Sequence, residues 1–152
     1  MSRASQSAHS AAAAGPDPGA LLRRHGLRRT PSRLRILGLF TASGRHLSPA
    51  EACAQLARSG EPVHYTTVYR TLEALTLAGL AHAVHGPGAV RYGITVEPHH
   101  HTVCQQCGDV SAVASEHLTQ AVGTIEALTG LRPDSSGSLL VYGRCARCSG
   151  QD

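Results

Sequence analysis

The 152-residue sequence predicts an α+β protein in two parts, a helical N-terminal unit closed by a β-hairpin and a small C-terminal α/β unit. Three observations predict it. Helix-capping residues recur from Asp17 to Gly79, two apolar runs flank His85-Gly86-Pro87-Gly88, and after Pro98 short strand-like runs alternate with two Cys-x-x-Cys pairs. Residues 1–19 are mostly Ser, Ala, Gly and Pro without apolar periodicity, which predicts a disordered tail. The two units then occupy residues 20–93 and 99–152, with a hinge at 94–98.

Each element has a local reason. Asp17-Pro18 before Ala20-Leu21-Leu22, with Gly26 after, predicts a short helix. Thr30-Pro31 pairs an N-cap with a proline at the first helical position, and Leu34, Leu37 and Phe40 face inward until Gly44. Ser48 and Glu51 form a capping box that opens a helix ending near Gly60. Within it Cys53 reads as a small buried residue. A helix over 66–78 carries Val68, Leu72 and Leu75 as its core stripe. Leu80–Val84 and Ala89–Tyr92 read as the two strands of a wing. Beyond the hinge, strands are predicted at 99–103, 110–113 and 139–142, and a helix at 116–129. Helices followed by a two-stranded wing are the pattern of a winged helix-turn-helix. The C-terminal unit would leave sheet edges exposed as a monomer, which invites pairing with a second copy.

Charge separates the two parts. All 14 basic residues are Arg. Residues 1–96 hold 11 Arg and four acids, net +7, and residues 97–152 hold three Arg and six acids, net −3. No acid lies between Asp17 and Glu51, a stretch carrying seven Arg. Such a run suits a polyanion such as nucleic acid, because each Arg–phosphate contact releases counterions. Thr67, Tyr69 and Arg70 lie off the core stripe of the 66–78 helix and are the candidates for reading a DNA major groove. No segment approaches the ~18–20 apolar residues of a membrane span. The N-terminus lacks the apolar region of a signal peptide. The expectation is a cytoplasmic protein with no membrane partner.

Cys104-Gln-Gln-Cys107 and Cys145-Ala-Arg-Cys148 are two knuckles that together supply four thiolates, a closed tetrahedral site for structural Zn2+. Four thiolates on one Zn2+ add −2, lowering the formal +4 to +2. A site with no open position does not catalyse, and no nucleophile–base pair stands out, so no enzymatic activity is expected. His99 and His101 alternate on a strand and share a face. With His46 before the capping box and His82 at the start of the wing, they are candidates for a second, regulatory divalent-metal site bridging the hinge. A metal held by both units would lock their relative orientation.

Four segments then resemble the ferric uptake regulator family of bacterial metal-sensing repressors. They are Leu27–Arg33, Thr66–Leu72 (TTVYRTL), His99–Gly108 (HHHTVCQQCG) and Tyr142–Cys148 (YGRCARC), in the family's order and spanning nearly the whole chain after the tail. The resemblance implies a homodimer with an N-terminal winged-helix DNA-binding domain and a C-terminal dimerisation domain, binding a palindromic operator in double-stranded DNA. It implies recognition-helix contacts from Tyr69 and Arg70, backbone or minor-groove contacts from Arg28 and Arg33, structural zinc on Cys104, Cys107, Cys145 and Cys148, and hinge ligands among His46, His82, His99 and His101.

Two departures bear on the metal. Gly93 and Ala112 stand where family members often carry a ligand. An oxygen-poor, nitrogen-rich set suits Zn2+ or Ni2+ better than Fe2+ or Mn2+. The reading is therefore a zinc-responsive repressor of metal-homeostasis genes with a four-His site, or one borrowing Glu97. The alternatives are a nickel, iron or peroxide sensor of the same fold, or a zinc-storage or transfer protein without DNA binding. A third site found in some members is expected to be absent or rebuilt with Glu116 or His117, because Asp134–Ser138 holds no His.

Overall fold

A computed structural model describes residues 15–132 and 138–150. Helix α1 spans Pro18–Arg24, so Pro18 and Gly19 belong to the first helix rather than to the expected tail, whose residues 1–14 lie outside the described residues. The reason is local: the Asp17 carboxylate accepts from Ala20 N at 2.7 Å and caps the helix one residue before Pro18. Helix α2 spans Pro31–Ser43, capped by Thr30, and ends at Gly44 in the left-handed region. Helix α3 spans Pro49–Arg58, with both bonds of the capping box formed by Ser48 and Glu51. Helix α4 spans Tyr65–Leu77, starting one residue early because His64 Nδ1 accepts from Thr66 N and serves as the N-cap.

The wing is β1 (Ala81–Val84) antiparallel to β2 (Arg91–Ile94), with His82 opposite Gly93. β2 starts two residues later than expected and runs into the expected hinge. The C-terminal unit is β3 (His99–Cys104) between antiparallel β4 (Val110–Ala114) and parallel β5 (Leu140–Gly143). The helix expected at 116–129 is divided: a 3-10 turn at Ser115–Leu118, then α5 at Thr119–Thr129. Helix α6, Ala146–Ser149, follows Cys145.

The core lies in the N-terminal unit, where Leu22, Ile36, Leu37, Phe40, Val68, Leu72, Leu75 and Leu80 are fully buried. Leu34 is only half-buried, its expected place taken by Ile36, and Cys53 is half-buried against the core. A smaller cluster of Val84 from the wing with Val103 and Val110 from the C-terminal sheet seams the two units together. Glycines allow the approach. A Cβ on Gly86 would lie 2.7 Å from Val103 Cγ1, and one on Gly108, at φ +72°, would lie 2.5 Å from the Pro87 carbonyl oxygen. In α5, by contrast, no residue is buried, and all of β5 is exposed.

Candidate metal centres and candidate DNA-facing helix

The segment before α3 is pulled onto the wing. Leu47 pairs with Tyr92 as an isolated antiparallel bridge, its N donating at 3.0 Å and its carbonyl accepting at 2.9 Å. Arg91 Nη1 donates to Glu51 Oε2 at 2.6 Å and to the His46 carbonyl at 3.4 Å. The capping box of α3 therefore also tethers β2 and fixes the chain at His46.

His46 then meets His82 from β1 and His99 and His101 from β3. Their Nε2 atoms converge: His46–His82 2.8 Å, His82–His101 2.9 Å, His101–His46 3.1 Å and His82–His99 3.2 Å. The other face of three rings is held. His99 Nδ1 donates to the Glu97 carbonyl at 2.8 Å, His82 Nδ1 pairs with Thr95 Oγ1 at 3.0 Å, and His101 Nδ1 pairs with Ser138 Oγ at 3.3 Å. A carbonyl only accepts, so His99 donates from Nδ1 and turns Nε2 inward. This is the outer-shell arrangement that orients metal-ligating imidazoles. His46 Nδ1 is buried with no partner.

Burial and mutual repulsion disfavour the charged form of three of these rings. Desolvation, then the neighbouring rings, lower His46 to about 3, and His82 and His101 to about 4. At pH 7 these three rings offer lone pairs without first losing a proton.

Glu97, expected as a possible ligand, does not join the described group. Its side chain is exposed and outside the cluster, and its contribution is the backbone carbonyl that locks His99. Four imidazoles complete the group without it. Ala112 lies opposite His101 on β4, exposed. Glu116 and His117 are exposed and approach each other at 3.8 Å, and neither joins a metal-ligating group among the described residues. Most of the Asp134–Ser138 stretch lies outside the described residues. His100, on the opposite face of β3, is buried and accepts from Leu139 N at 3.0 Å, which ties β3 to the start of β5.

The second group is Cys104, Cys107, Cys145 and Cys148, whose sulfurs all lie within 4.8 Å of one another. Cys107 Sγ and Cys145 Sγ are 3.8 Å apart. Tetrahedral Zn–S bonds of about 2.3 Å place sulfurs about 3.8 Å apart. Backbone N–H groups of the knuckles, Cys107 and Cys145 foremost, lower the Cys104 thiol to about 6, while the hydrogen bond with Cys145 raises Cys148 to about 12. Four sulfurs this close cannot all ionise alone, and a divalent cation removes that conflict. Arg147 in α6 pairs with Asp109 at 3.2 Å and ties the two knuckles together.

On α4 the expected face is largely exposed. Tyr69 and Arg70 are exposed and Thr67 is half-buried, while Val68, Leu72 and Leu75 are buried beneath them. Tyr65, 52 % exposed, joins this face and was not expected from the core periodicity. Arg28 is exposed beside α2, and Arg33 Nη1 donates to the Arg28 carbonyl at 3.2 Å, so the two cations share one surface.

Comparison with known proteins agrees with this geometry. Residues 24–135 match the model of the ferric uptake regulator family. The chain is 33 % identical over 134 residues to the ferric uptake regulation protein of Shigella flexneri, covering 86 % of this chain and 89 % of that one. It is 33 % identical over 130 residues to its namesake in Legionella pneumophila, covering 84 % and 95 %. The crystal structure of the Vibrio cholerae ferric uptake regulator superposes with a TM-score of 0.69 at 30 % identity, covering 85 % of this chain and all of that one. With its winged helix, hinge-spanning histidines and paired cysteine knuckles, the chain belongs to the ferric uptake regulator family of metal-responsive regulators.

Proposed function

We propose that the chain is a zinc-responsive transcriptional repressor that binds a palindromic operator as a homodimer. The observation that carries the reading is the convergence of four Nε2 atoms from both sides of residues 94–98: His46 and His82 on the winged-helix side, His99 and His101 on the dimerisation side. A divalent cation bound there would join the two units and favour one orientation of the reading helices. On the same reading Cys104, Cys107, Cys145 and Cys148 hold structural zinc.

The all-imidazole donor set supports zinc, and the nitrogen spacing weighs against one rival geometry. His46, His82 and His101 form a triangle with sides of 2.8, 2.9 and 3.1 Å. In a single square plane with metal–nitrogen bonds of about 2.0–2.1 Å, one side of any such triangle would be a diagonal of about 4.1 Å. The triangle therefore disfavours the square-planar coordination open to Ni2+ or Cu2+, while its sides are shorter than the roughly 3.3–3.4 Å edges of a tetrahedral Zn–N site, so the support for zinc is the all-imidazole donor set. The exposed β5 edge and the apolar face of α5, with Leu128 81 % exposed, support pairing of two copies.

The test is a metal titration of the purified chain against DNA sites selected from a random pool. Zn2+ is expected to raise specific affinity at far lower free concentration than Ni2+, Fe2+ or Mn2+. Equal or better response to another ion would reassign the metal. No salt-dependent DNA binding in any metal state would favour storage or transfer. In the same assay Arg70→Ala is expected to cost about 1–3 kcal/mol and to relax base preference at one position of each half-site. Uniform weakening across all sequences would place Arg70 on phosphate alone.

A further inference from the structure

Gly93 is buried on β2 directly opposite His82 on β1, so side chains at these two positions project from the same face of the hairpin, toward β3. That face holds the His46 ring. A Cβ built on Gly93 would lie 2.9 Å from His46 Cε1 and closer still to Cδ2 and Nε2. Real carbon contacts do not reach such distances, and the obstacle is a ring whose backbone anchor is fixed. The carbonyl of His46 is bound by Arg91, and the next residue is bridged to Tyr92. With its backbone fixed, the ring can make way only by turning about its side-chain torsions, which carries Nε2 away from the position it holds beside His82 and His101.

We propose that Gly93 is a positioning residue of the hinge centre: its missing Cβ admits the His46 imidazole, and its cross-strand partner His82 supplies the ligand that this hairpin contributes. One hairpin rung thus has room for one side chain, and it is spent on position 82. The centre then takes a borderline divalent cation by four imidazole nitrogens, with no carboxylate in the described group to attract a hard, oxygen-seeking ion. The inference rests on the hinge site of the proposed function and adds the residue that shapes it.

The test uses the full chain with its four-cysteine site loaded. Binding of a second equivalent of Zn2+ is measured by competition with a chromophoric chelator, and Co2+ absorption reports the ligand geometry. Gly93→Ala is expected to weaken the second equivalent at least about tenfold, the scale of an outer-shell change, and to alter the Co2+ ligand-field bands. His46→Ala should weaken it at least as much. The double variant should be no weaker than His46→Ala alone, because the alanine at 93 then has no ring to displace. Wild-type affinity and spectrum in Gly93→Ala would overturn the inference, as would losses that multiply in the double variant. Thermal unfolding checks each fold, and the double variant keeps the comparison usable if Gly93→Ala folds poorly. A wild-type chain that takes only one equivalent would sink the proposed hinge site itself. Two equivalents in both wild type and Gly93→Ala, with equal affinity, would sink only the role of Gly93.

Discussion

Replacing His99 and His101 together by alanine is expected to abolish metal-dependent DNA binding while leaving the dimer and the four-cysteine metal in place. Both rings stand on β3, and both put Nε2 within 3.2 Å of His82. Their loss removes every cluster ligand from the C-terminal unit, so a metal left on His46 and His82 would touch only the winged-helix side. Coupling free energies between sites are typically about 1–3 kcal/mol, or 5–150-fold in affinity. The expected result is loss of that whole factor: the variant binds DNA with the same weak affinity in zinc and in chelator. Retained zinc dependence in fluorescence anisotropy would show that the units are coupled by another route.

The larger effect on folding belongs to the cysteines. Cys104→Ser with Cys148→Ser is expected to unfold much of the C-terminal unit and to dissociate the dimer, measured by loss of cooperative thermal unfolding and by sedimentation. Apparent binding free energies for structural zinc reach about 10–16 kcal/mol in small domains, well above what this unit can draw from apolar packing. Among the described residues only Val103, Val110, Cys104 and Cys148 are buried apolar residues on its side, and no residue of α5 is buried. A folded, dimeric double variant would show that subunit contacts alone hold the unit.

Most of the architecture was legible because it is written in caps and periods. Thr30-Pro31, Ser48 with Glu51, and the stripe of Val68, Leu72 and Leu75 each predict their element from neighbouring residues, and each element is present. The paired knuckles were legible for the same reason, since their ligand spacing is local. The hinge centre was legible only in part. Alternation placed His99 and His101 on one face, but nothing local brings His46 to them. That needs the Leu47–Tyr92 bridge and the Arg91–Glu51 contact, between residues about 40 apart in the chain. The supporting partners Thr95 and Ser138 have no sequence signature at all, being single hydroxyls in loops. Gly93 read as a lost ligand, and only the register of β1 and β2 shows the compensation at His82.

The valine seam carries one more consequence. Val84, Val103 and Val110 pack the wing against the C-terminal sheet without using any metal ligand. The joined arrangement therefore has a source of stability that does not depend on ion concentration. If a fraction of molecules is joined before the ion arrives, the apparent dissociation constant is the intrinsic one divided by that fraction. Under the proposed function the three valines would act as a threshold adjustment. They would set how scarce the ion must become before the operator is released, while the four imidazoles would decide which ion is counted.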